Sequence, residues 1–99
     1  MTGTSGATFH LAARVSSDRP DAVRPVLEER FPGTVITRDG ADLLLDAEVP
    51  GTDAKALNRE LLSRLRRVEK RTRLRARWTS PDGTEQRYFD YVLTGTSRP

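Results

Sequence analysis

Between Asp53 and Arg77 the spacing of apolar residues changes once, and that change limits what the chain can fold into. Ala54, Leu57, Leu61, Leu65 and Val68 recur at steps of three and four, with Leu62 widening the stripe. This is the period of a helix with one buried face. Thr52 or Asp53 stands where its cap belongs. From Arg73 onward the period is two: Leu74, Ala76 and Trp78 alternate with Arg73, Arg75, Arg77 and Thr79. Alternation of that kind belongs to a strand with one buried and one open side. The spacing therefore predicts a helix to about Arg71–Thr72 followed at once by a strand. Both need a sheet to close against.

The remaining residues supply one. Thr8–Val15 alternates, with Phe9, Leu11, Ala13 and Val15 on one side and Thr8, His10, Ala12 and Arg14 on the other. Ser17, Asp18 and Asp21 are caps for a helix over about Asp21–Arg30, and Pro20 suits its first position. A proline deep in a helix removes a hydrogen bond and clashes with the turn before it. A regular helix beginning near Asp21 keeps Pro25 close to its start. Phe31-Pro32-Gly33 stops it.

Thr34–Arg38 is β-branched and reads as a strand. Asp39-Gly40 is a two-residue hairpin signal that sets Arg38 opposite Ala41 and Ile36 opposite Leu43. The returning strand, Ala41–Val49, turns Leu43, Leu45, Ala47 and Val49 inward and Asp42, Leu44, Asp46 and Glu48 outward. Ser80-Pro81-Asp82-Gly83 is a tight turn. Thr84–Thr94 reads as one final strand, with Phe89, Tyr91 and Leu93 inward and Tyr88, Asp90 and Val92 outward.

The order β-α-β-β-α-β-β resembles, over residues 8–94, the ferredoxin-like split β-α-β-β-α-β arrangement with an additional C-terminal strand. What the resemblance implies is an α+β sandwich with sheet order 4-1-3-2 and both helices on one face. Right-handed crossovers favour that closure. The arrangement hosts unrelated functions and implies no activity. Residues 1–7 and 95–99 are expected to be flexible ends of this single domain.

Composition removes several classes of function. With no cysteine there is no disulfide framework, thiolate nucleophile or cysteine metal site. A cofactor motif and a metal-ligand cluster are likewise not read in the sequence. No apolar run approaches the roughly 20 residues that span a bilayer, and the first residues lack the pattern of a signal peptide. A cytoplasmic location is expected. Net charge is only +3, yet residues 53–77 hold ten basic side chains against three acidic ones. The local balance is +7 and the rest of the chain sums to −4, so the molecule is electrically divided.

Strand parity collects much of this charge on the sheet side away from the helices. Expected there are His10 and Arg14, then Asp42, Leu44, Asp46 and Glu48, then Arg73, Arg75 and Arg77, and finally Tyr88, Asp90 and Val92. The sequence points to a non-enzymatic interaction or regulatory domain that self-associates through this face, with a homodimer or a protein partner. The alternative is an RNA- or DNA-binding accessory protein using the basic helix 53–72 and strand 73–79, with Arg59, Arg66, Arg67, Lys70 and Arg71 on phosphates. It has neither the stacking aromatics of an RNA-recognition sheet nor a GxxG loop. For catalysis the one candidate is His10, if Asp46 or Glu48 on the neighbouring strand comes within hydrogen-bond reach. No nucleophile motif accompanies it. Trp78 is expected in the core, the alternative being a small apolar pocket shared with Phe9, Phe89 and Tyr91.

Overall fold

The computed structural model describes residues 7–97. Its elements are β1 (Ala7–Ser16), α1 (Pro20–Arg30), β2 (Ile36–Asp39), β3 (Asp42–Gly51), α2 (Ala54–Val68), β4 (Arg73–Thr79), β5 (Glu85–Phe89) and β6 (Val92–Ser97). The strands form one open antiparallel sheet of six, in the order β2-β3-β1-β4-β5-β6. With the two helices this is an α+β fold. Residues 1–6 and 98–99, assigned to the flexible ends in the sequence reading, lie outside the described residues. Of the residues assigned to those ends, Ala7 belongs to β1 and Gly95, Thr96 and Ser97 to β6.

Alternation along the strands does what the pattern requires. Leu11 and Val15 of β1, Leu43, Leu45 and Val49 of β3, and Leu74 and Trp78 of β4 are buried with Val23 and Leu27 of α1 and Leu61, Leu62 and Leu65 of α2. Because side chains alternate, burying these rows turns the polar rows to the other face of the sheet. α2 starts where expected, with the Asp53 carboxylate accepting from the Lys55 N–H at 3.0 Å. It ends at Val68, three to four residues earlier than its charge run suggested, and Val68 is left 45% exposed. Here Glu69 caps the helix, its backbone N–H reaching Leu65 and its side chain accepting from Arg71 N–H.

Four further expectations are corrected. Pro20 opens α1, but Pro25 stands more than a turn inside it. Its missing N–H leaves the Asp21 carbonyl without an i+4 donor, tolerable because both residues are exposed. Arg19 caps this helix without a side-chain bond; Ser17 instead accepts from Arg19 N–H at 3.1 Å. The β2–β3 loop is Gly40-Ala41, with Asp39 opposite Asp42 and Ile36 opposite Leu45. Gly40 alone supplies positive φ there, at 63°, so the turn needs one left-handed residue and not two.

The largest correction is the last segment. It is not one strand over 84–94 but two, folded at Asp90-Tyr91. Asp90 holds the turn at φ 56°, a conformation aspartate tolerates better than most residues. Tyr88 pairs with Ala76 and is buried on the helix side. A large ring opposite a small alanine fills the sheet-to-helix space, and that pairing reverses the expected parity. Phe89 therefore lies on the open face, while Tyr91 and Leu93 are exposed.

Candidate interaction face

The side of the sheet without helices is organised as rows across the strands. One row runs Glu48, His10, Thr79, Glu85; the next Asp46, Ala12, Arg77, Arg87; then Thr37, Leu44, Arg14, Arg75, Phe89, Val92; then Asp39, Asp42, Ser16, Arg73. Read along the sheet, the sign of charge changes once. β2 and β3 present Asp39, Asp42, Asp46 and Glu48. β4 and β5 present Arg73, Arg75, Arg77 and Arg87 against Glu85 alone. β1 lies between them with His10 and Arg14.

Register explains the local contacts. His10 lies opposite Glu48 and diagonal to Asp46, and its Nδ1 and Nε2 are 3.3 Å and 3.2 Å from their carboxylates. Only the imidazolium can donate to both. Arg14 ion-pairs with Asp42 and reaches Asp39 at 3.3 Å. The Ser16 hydroxyl beside Asp42, with the guanidinia of Arg14 and Arg75, holds its carboxyl below the usual range against the opposing effect of burial. Arg77 meets Glu85 at 3.3 Å. Arg73 and Arg75 lie over the Phe89 ring, 5.8 Å and 5.2 Å from its centroid, within cation–π range.

Of the twelve residues expected on this face, ten share it: His10, Arg14, Asp42, Leu44, Asp46, Glu48, Arg73, Arg75, Arg77 and Val92. Tyr88 and Asp90 do not. Burial and the charge of Asp53 raise the Tyr88 phenol above its ordinary value, and its hydroxyl donates to Gln86 at 3.1 Å. Asp90 lies at the start of β4, its carboxylate accepting from Leu74 N–H at 3.0 Å and pairing with Arg66 at 3.3 Å. Phe89 and Arg87 take their place on the open face. Phe89 is placed by the register of β5: Tyr88 stands opposite the small Ala76 on the helix side, which turns Phe89 outward.

The five helix cations expected to meet phosphates are divided among different roles. Arg66 is tied internally, to Asp90, to the Thr72 carbonyl at 2.9 Å and to the Tyr91 ring at 5.3 Å. Arg59 borders a shallow hollow with Lys55, Ser63 and Tyr91. Arg66, Lys70 and Arg71 border another together with Arg73, and this one also holds Asp18 and Asp42. Arg67 is exposed on the helix surface. Trp78 is buried as expected, edge-on to Phe9 at 6.3 Å, with its Nε1 donating to Asn58 at 3.2 Å. It therefore lines no pocket with Phe89 or Tyr91.

His10 has the carboxylate neighbours that proton transfer requires, but on an exposed strand surface. Among the described residues no group of three or more His, Asp and Glu side chains is placed to hold a metal ion, and no helix is long and apolar enough to cross a membrane. Comparisons with protein-family models, curated proteins and solved structures find no match to this chain.

Proposed function

We propose that this chain is a non-enzymatic interaction domain of the cytoplasm that pairs with a second copy of itself through the open sheet face. One observation carries the proposal: the face is divided lengthwise into an acidic half, β2–β3, and a basic half, β4–β5. The fold is read in the same proposal as a ferredoxin-like arrangement extended by β5 and β6, since β2-β3-β1-β4 follows its strand order.

The charge division also selects a symmetry. Two identical faces stack by a two-fold rotation about an axis lying between them. An axis across the strands would set acidic half on acidic half. An axis parallel to the strands, near β1, exchanges the halves and sets each acidic half on a basic one. In that arrangement Asp46 faces Arg77 of the second copy, and Asp42 faces its Arg73. On the axis Ala12 meets Ala12 of the second copy, and Leu44 lies against the aliphatic stem of its Arg75. Aligned sheets pack at about 30° to each other, so the rows meet at a shallow angle. Complementary charge of this kind sets orientation and encounter rate more than raw affinity.

Sedimentation velocity at rising protein concentration tests the proposal. A dimer is expected by tens of micromolar, weakening only moderately with salt because the apolar contact persists. A monomer throughout that range overturns it.

A second reading has one observation in its favour. Phe89 with Arg73 and Arg75 beside it, and Arg77 and Arg87 beyond, resembles a base-stacking ring among phosphate contacts. RNA or DNA binding predicts a monomer whose affinity for a single-stranded oligonucleotide falls steeply with salt.

A further inference from the structure

The two edges of the sheet are unlike. β2 has four residues and ends in exposed Arg38 and Asp39, the short charged edge that resists strand addition. β6 has six, Val92–Ser97, with no charge and no proline. Val92 is 63% and Leu93 49% exposed. They pair with Phe89 and Tyr88 respectively, so apolar surface shows on both sides of the strand. Among the described residues its one neighbour in the sheet is β5, and no described strand pairs with its outer main-chain donors and acceptors.

Arg87 gives this edge a chemical preference. It lies opposite Gly95. A methyl added to Gly95 would meet Arg87 Nη2 at 2.7 Å and Nε at 3.2 Å, so the guanidinium lies across the glycine and reaches the rim. Beside it is a cleft of about 410 Å³ bounded by Arg75, Ala76, Arg87, Tyr88, Phe89 and Thr94; Arg87 Nε is 4.0 Å from the Glu85 carboxylate, which is shared with Arg77.

We infer that β6 is a docking edge for an extended segment of another protein carrying a carboxylate side chain at the level of Gly95. The segment adds a strand: main-chain hydrogen bonds supply the pairing, and the side chains at alternate positions supply the choice. The carboxylate lies over Gly95 and meets the Arg87 guanidinium there, with the apolar cleft beside it taking the neighbouring side chain. A second copy of β6 is not that segment. Antiparallel self-pairing of Val92–Ser97 over four or more residues is centred near Thr94 or Gly95, which sets two Arg87 guanidinia against each other on one face. This edge is distinct from the self-association proposed above, which covers β3, β1 and β4.

The test uses two end-blocked heptapeptides of alternating valine and threonine, one with a central glutamate and one with a central lysine, titrated into the isotopically labelled full chain. The glutamate peptide is expected to shift amide signals of residues 92–97 and slow their exchange with solvent. It should bind about tenfold more tightly than the lysine peptide. Arg87→Gln should abolish that preference with the fold intact by circular dichroism. Gly95→Ala should reduce it by displacing the guanidinium. Equal binding of the two peptides, shifts confined to residues 36–39, or no shift at all overturns the inference. So does protection of residues 92–97 that grows with protein concentration in the absence of peptide, which would assign the edge to a second copy.

Discussion

Asp90 and Leu74 exchange two hydrogen bonds: Asp90 N–H donates to the Leu74 carbonyl at 2.7 Å, and Leu74 N–H donates to Asp90 Oδ1 at 3.0 Å. A side chain thus stands in for a strand at the start of β4, just where β5 has ended. The contact joins the β5–β6 turn to the start of β4, and Arg66 from α2 pairs with the other carboxylate oxygen. Asp90→Ala removes the acceptor and leaves a part-buried N–H and a guanidinium without it. A loss of about 1–3 kcal/mol is expected, the usual cost of an orphaned group. Asp90→Asn keeps an acceptor for Leu74 and suits the positive φ, so it should cost about half as much or less. Urea unfolding of the two variants measures the difference; equal losses would show that the charge, not the acceptor, matters.

Asn58 carries a second joint between layers. It is fully buried, accepts from Trp78 Nε1 at 3.2 Å and donates to the Asp90 carbonyl at 2.7 Å. Trp78 is buried and Asp90 partly so. Asn58→Ala should therefore destabilise by about 2–4 kcal/mol, combining two unsatisfied groups with a small cavity. Asn58→Leu fills the cavity but leaves the same groups unmatched, so it should recover little. Thermal unfolding with Trp78 fluorescence reads both stability and the indole environment.

These two joints mark where sequence reasoning stops. The strands β1, β3 and β4 and their inward rows were legible because each alternates cleanly over seven or more residues. α2 was legible because its stripe repeats. Asn58 was not, since a polar residue on the apolar side of a helix has no periodic signature and is explained only by Trp78 and Asp90, both distant in sequence. Asp90-Tyr91 was not read as a turn because it lacks glycine; Tyr88 and Phe89, just before it, were set to the wrong faces, while Val92 and Leu93 after it lie on the faces expected. Ten residues of the open face were legible, since β1, β3 and β4 position most of them. Phe89 and Arg87 depended on the register of β5 against Ala76, which no local pattern states.

Asp42 and Tyr88 set opposite ends of the pH dependence. The Asp42 pKa is lowered in the folded chain, by Ser16 first and then by Arg14 and Arg75. The unfolded state binds its proton more readily, so this contribution to stability is present above the ordinary aspartate value of 3.8 and is lost as pH falls through the folded value. Asp42→Asn should flatten the acid limb of a stability–pH curve. Tyr88 is raised by burial and by Asp53. Its contribution is present below the ordinary phenol value of 10.0 and lost as pH rises through the folded one. Tyr88→Phe should flatten the alkaline limb while leaving the acid limb in place. Chemical denaturation across the pH range separates the two, and an unchanged limb in either variant refutes that assignment.

The axis chosen by the charge division makes a reciprocal prediction about Asp46 and Arg77. They lie in one row on either side of Ala12, and a two-fold axis along β1 sets each against the other residue of the second copy. Asp46→Arg places two cations together at both symmetric contacts, and Arg77→Asp places two carboxylates together. Each single variant should raise the dimer dissociation constant by about tenfold or more, since like charges at an interface cost several kcal/mol when desolvated and less when wet. The double variant restores opposite charges at both contacts and should return most of the affinity. An axis across the strands predicts something different: Asp46 would then face acidic groups of the second copy, and Asp46→Arg alone would strengthen the dimer. Sedimentation equilibrium of the wild type, the two single variants and the double variant therefore reads out both whether the face pairs and which axis relates the copies. Equal affinity in all four proteins would place the interface elsewhere on the molecule.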